Sequence, residues 1–120
     1  MNDRRICRSD SYNTALRYQL ECTLRRGRMA ALALTDDCGV LLAWAGEDAI
    51  CHELGAVAPI AAQGWPSDFE QPTIPKAEVS VRAIECFGEQ LLLASLGGGV
   101  ARDALLAHSA RGIHRILTAN

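Results

Sequence analysis

The stretch Arg28-Met29-Ala30-Ala31-Leu32-Ala33-Leu34-Thr35-Asp36-Asp37-Cys38-Gly39-Val40-Leu41-Leu42-Ala43 decides the fold. Two apolar runs, each too short for a helix of its own, flank the turn cluster Asp36-Asp37-Cys38-Gly39. That pattern predicts a β-hairpin, because Asp offers a local acceptor and Gly the unusual backbone angles that a tight turn requires. Neither run alternates between apolar and polar residues. Both strands should therefore be covered on both faces, which places the hairpin centrally in its sheet with helices on either side.

Working outward, the spacing of Leu16, Leu20 and Leu24 predicts a helix over residues 11–26. Ser11 is its expected N-cap, Arg25 and Arg26 stand at the negative end of its dipole, and Gly27 is its stop. After the hairpin, Gly46-Glu47-Asp48 opens a second helix over residues 48–62. Residues 63–75 hold Gly64, Pro66, Pro72 and Pro75 and read as a loop, with a short edge strand around Phe69. Strands follow over 78–87 and 90–96. After Gly97-Gly98-Gly99, a last helix over 100–117 carries Leu106, Ala110, Ile113 and Leu117 on one stripe. The expected class is α/β of the α+β type. Its sheet is mainly antiparallel with four to five strands, and residues 11–120 form one domain behind a flexible tail, 1–10.

Bulk properties fit a chain of 120 residues with 49% apolar and 22% charged side chains, enough to build a core without staples. Aromatics are only 5%, so Leu, Ile, Val and Ala must fill that core. No apolar run is long enough to span a bilayer, and Met1-Asn2-Asp3-Arg4-Arg5 leads into a polar stretch, so the expected location is the cytoplasm. Cys7, Cys22, Cys38, Cys51 and Cys86 are odd in number, scattered and without a C-x-x-C pair, so reduced thiols are expected. The net charge of −2 conceals a division: residues 1–28 carry +4, residues 29–101 carry −8 and residues 102–120 carry +2.

The second helix is unusual, with only His52 and Glu53 strongly polar between Ala49 and Ala62. Ile50, Leu54, Val57 and Ala61 can cover the sheet. A separate stripe of small residues, Cys51, Gly55, Ala58 and Ala62, would let another backbone approach closely and is the expected homodimer seam. Pro59 should kink or stop the helix.

Chemistry is harder to find. The glycine run has no phosphate-loop spacing, and His108, Arg111, His114 and Arg115 form a basic ridge without carboxylate or thiol partners at ligand spacing. Adjacent Cys51 and His52 point about 100° apart on a helix and form no dyad. Trp44 and Trp65 read as core or interface anchors, since an acidic chain middle does not suit nucleic acid. No catalytic, cofactor or metal site is expected, and neither nucleic acid nor a membrane is an expected partner.

The 28–43 hairpin, the Ala/Leu-rich helix after it and the ending Gly112-Ile113-His114-Arg115-Ile116-Leu117 resemble roadblock/dynein-light-chain-type domains over nearly the whole chain. The resemblance implies a five-stranded antiparallel sheet with the middle helix on one face and the terminal helices on the other. It implies homo- or heterodimers joined through the middle helices and third-strand edges, which adds Phe69 and Ile74 to the expected interface. It also implies a non-catalytic regulator or scaffold for a small Ras-like GTPase. With the terminal helices on one face, Arg25, Arg26, Arg111 and Arg115 would make that face basic. Two other readings stand beside it: a ligand-sensing domain of the GAF or profilin-like kind, and a thiol redox protein.

Overall fold

The computed structural model describes residues 10–69 and 73–119, so the expected tail lies outside the described residues except for Asp10, which begins a helix. The order is α1 (Asp10–Gly27), β1 (Met29–Asp36), β2 (Leu41–Gly46), α2 (Asp48–Gln63), β3 (Val79–Cys86), β4 (Glu89–Gly97) and α3 (Arg102–Thr118). The sheet runs β2-β1-β4-β3 with every neighbouring pair antiparallel.

The predicted hairpin forms, with Leu32 opposite Ala45 and Leu34 opposite Ala43. Asp36 builds its turn: Oδ1 accepts from the backbone N–H groups of Cys38 and Val40, both at 2.9 Å, and Gly39 takes φ +92°. Only β1 is central, however. β2 is an edge strand, and it is apolar on both faces because α1 packs on one and α2 on the other. The second hairpin is closed by Phe87 and Gly88, at φ +55° and +78°, the positive angles of a two-residue turn that matches strand twist.

Two core layers result. Leu32, Leu34, Leu91, Leu93, Ile84 and Cys86 point to one face and meet Leu16 and Leu20 of α1 and Leu106, Ala110, Ile113 and Leu117 of α3. Ala31, Ala33, Leu92, Ala94 and Leu96 point to the other and meet Cys51, Leu54, Val57 and Ala58 of α2. The terminal helices share a face and run antiparallel. Tyr12 donates to the carbonyl of Ala119 at 2.8 Å, and a β-carbon on Gly27 would come within 3.2 Å of Leu105 Cδ1. Gly27 therefore serves close packing, and the left-handed residue that ends α1 is Arg28 at φ +53°. Ser11, the expected cap, lies inside the helix.

Pro59 neither stops α2 nor shortens it; the helix continues to Gln63. Among the described residues no strand forms around Phe69, which closes a turn onto Pro66 with its amide 3.1 Å from that carbonyl; residues 70–72 lie outside them. A short 3-10 turn, Lys76–Glu78, leads into β3. Among the described residues the sheet has four strands, the lower of the two expected numbers.

The two layers lie on opposite sides of the sheet, so their energetics should be independent. Leu20→Ala and Leu54→Ala, each at a fully buried site, are expected to cost about 2–5 kcal/mol singly and to add in the double variant. Urea unfolding checks this, and strong non-additivity would show that one core couples across the sheet.

Candidate functional site

The small-residue stripe of α2 faces inward. Cys51 and Ala58 are fully buried, Gly55 is buried, and all three lie against the chain's own sheet, so they form no seam for a second copy. Their smallness has a local cause. A β-carbon on Gly55 would sit 3.1 Å from Leu41 Cδ1 and 3.3 Å from Thr35 Cγ2, and one on Gly39 would sit 3.1 Å from the Gly55 carbonyl oxygen. Small helix residues meet Ala31, Ala33 and Ala94, and the helix lies low on the sheet. Ile74 is likewise in the core at 3% exposure, which removes it from the expected interface. Phe69 is half-buried, its ring centroid 5.3 Å from that of Trp65 with the Lys76 ammonium over both.

Ala62, the last member of the stripe, is exposed. There α2 stands away from the sheet and leaves an open groove of about 430 Å³ lined by Asp37, Pro59, Ala62, Gln63, Val81, Ala83, Gln90 and Leu92. Beyond it lies β3, an edge strand with no further strand beside it among the described residues, whose Val79 and Val81 are only half-buried. The outward row of α2 is Ala49, Glu53, Ala56 and Ile60, three of them uncharged and none a Lys or Arg. The polar residues in the first half of α2 are already engaged. Glu53 accepts from the Thr73 amide at 2.8 Å, His52 Nδ1 donates to the Asp48 carbonyl at 2.8 Å, and Asp48 accepts from Trp44 Nε1 at 2.8 Å. This row and the half-buried face of β3 were missed in the sequence. Helical spacing alone does not say which stripe of an all-apolar helix faces the sheet.

Arg25, Arg26, Arg111 and Arg115 are all exposed on the α1/α3 side, opposite α2. Among the described residues Asp36, Asp37 and Cys38 bring three ligand-type atoms within 4.8 Å, as consecutive residues of one exposed turn. Asp37 and then Asp36 push the Cys38 thiol above its ordinary pKa, and burial does the same to Cys51 and Cys86. These thiols are held away from the nucleophilic thiolate, and Cys22, Cys38, Cys51 and Cys86 are free; Cys7 lies outside the described residues. The glycine run forms a turn in which the Gly99 amide donates to the Gly27 carbonyl at 3.3 Å. The groove is open to solvent, with Asp37, Gln63 and Gln90 set among Pro59, Ala62, Val81, Ala83 and Leu92, and it is no enclosed ligand pocket.

Two outcomes follow from these placements. Gly55→Glu should destabilise the fold by several kcal/mol, about 3 or more, by forcing a charge between α2 and β1. In thermal or urea unfolding, a stable, well-folded variant would show instead that α2 sits loosely. Asp37→Asn should speed alkylation of Cys38 at about pH 8, because the neighbouring negative charge that disfavours the thiolate is gone; an unchanged rate would remove Asp37 as the cause.

No family model matches the chain, and no curated protein does. Solved structures do. The gliding protein MglB of Thermus thermophilus is 14% identical with a TM-score of 0.60, covering 96% of this chain and 97% of that one. MglB of Myxococcus xanthus is 14% identical with a TM-score of 0.62 over 93% and 96%. An MglB described in a tetrameric arrangement is 15% identical with a TM-score of 0.58 over 93% and 94%. The likeness is one of fold: the chain has the architecture of these MglB structures, the roadblock-type arrangement that its hairpin and terminal helix resemble.

Proposed function

We propose that the chain is a dimeric, non-catalytic interaction module that regulates or scaffolds a small Ras-like GTPase. The observation that carries the dimer is the edge of β3, uncovered among the described residues, beside the weakly polar outer row of α2. An uncovered edge strand offers unpaired backbone groups, and pairing with a second copy removes that liability. Antiparallel pairing of two β3 edges about a twofold axis normal to the sheet gives one continuous eight-stranded sheet. Both α2 helices then lie on one side of it, and the groove at Ala62, Val81 and Ala83 falls at the seam. The GTPase half rests on the roadblock resemblance together with the fold shared with MglB.

Val81→Arg places a charge at the seam without entering the core, since Val81 is half-buried. Light scattering at micromolar concentration should report a dimer for the parent chain and a monomer for this variant, with both melting cooperatively. A monomeric parent sinks the dimer. For the GTPase half, the dimer should retain a Ras-like GTPase in a pull-down and change its rate of GTP hydrolysis or nucleotide exchange. Failure with every Ras-like GTPase of the same genome sinks that half alone.

A further inference from the structure

We propose that the α1/α3 face is a docking surface for an anionic phospholipid bilayer. α1 and α3 are far apart in sequence, yet the fold brings Arg17, Arg25 and Arg26 of the one to the same side of the sheet as Arg111 and Arg115 of the other. The antiparallel register is fixed at two points, Gly112 against Gln19 and Gly27 against Leu105. Arg115 and Arg111 therefore stand beside the Arg17 end of α1, while Arg25 and Arg26 stand beside the start of α3. Arg17 and Arg26 are about 13 Å apart along the helix axis, so the positive charge is spread rather than gathered into one pocket.

These arginines are exposed and unpaired within the described chain, save for a 3.8 Å approach of Arg25 to Cys22 Sγ. Only two acids with described side chains lie on the two helices, Glu21 and Asp103, and Asp103 is taken up by Arg102 at 3.3 Å. Guanidinium groups suit phosphate, which they can hold by two parallel hydrogen bonds. Tyr18 stands 68% exposed beside Arg17, an amphipathic ring of the kind that sits at headgroup level. The opposite side is anionic, with Glu47, Asp48 and Glu53 at α2 and no basic residue in that helix, so the charges also orient the molecule.

Other polyanions fit less well. The two helices lie side by side on the sheet, and a major groove about 12 Å wide admits one helix rather than an adjacent pair. A planar bilayer matches a broad helix-pair face. The twofold dimer proposed above would place two such faces coplanar and double the charge, which strengthens the proposal but is not required by it. A surface contact of this kind needs no spanning segment, and no helix among the described residues is long and apolar enough to cross a membrane.

The test is co-sedimentation of the full chain with vesicles of neutral phosphatidylcholine alone or with phosphatidylglycerol added. Binding is expected only with phosphatidylglycerol. It should fall steeply as salt rises from about 0.1 to about 1 M, where the screening length drops from about 10 Å to about 3 Å. The double variant R111E/R115E should bind about tenfold more weakly or less. Lys76→Glu, on the opposite side, should bind as the parent does. Circular dichroism checks that each variant is folded. The proposal is overturned by equal binding to neutral vesicles, by no binding at low salt, by full binding of a folded R111E/R115E, or by capture of duplex oligonucleotides in place of vesicles. Light scattering on the same samples separates this outcome from the dimer: vesicle binding by a monomeric parent chain would retain the docking face and discard the dimer.

Discussion

The low seat of α2 on the sheet is the contact from which the rest of the molecule follows. Gly55 rests over Thr35 and Leu41, and the Gly39 turn tucks beneath the Gly55 carbonyl and the Pro59 ring. Cys51 Sγ lies 3.2 Å from the Ala45 carbonyl and 3.8 Å from that of Leu32, bonding the helix to the backbone of both hairpin strands. Approach this close requires small side chains on both partners, and Ala31, Ala33 and Ala94 provide them on the sheet. The bulk of the apolar volume then lies on the other face, where Leu32, Leu34, Leu91 and Leu93 meet the leucines of α1 and α3. Thin and thick layers on opposite faces are two answers to one constraint. A chain with few aromatics fills its core either by close approach or by many leucines.

The same geometry sorts the charges. The sheet separates the arginines of α1 and α3 from the acidic residues of α2. Because the helices are amphipathic only toward the sheet, their outer rows are free to differ. α1 and α3 carry arginine, while α2 carries alanine, isoleucine and one glutamate. The weakly polar α2 side and the bare β3 edge are continuous with each other.

Much of the fold was legible in the residues. The Asp36-to-Gly39 turn, the leucine spacing of α1, the stripe of α3 and the doubly buried β4 all came from local patterns, because each is decided by neighbours in sequence. The second hairpin turn was legible in Gly88 but not in Phe87, whose positive φ no propensity foretells. Among the described residues Phe69 belongs to a turn begun at Pro66 rather than to a strand, and Ile74 is in the core. The small-residue stripe of α2 turns inward for a related reason. Cys51, Gly55 and Ala58 are small, and smallness marks a close neighbour without saying whether that neighbour is the chain's own sheet or another molecule.

By itself, then, the sequence determined the elements, their order and the two-sided burial of the central strands, because periodicity and turn chemistry act over a few residues. Only the tertiary structure decided which stripe of α2 is inside, which strand edge is bare and which charges share a face. Those depend on where segments distant in sequence come to rest, and no local pattern encodes that.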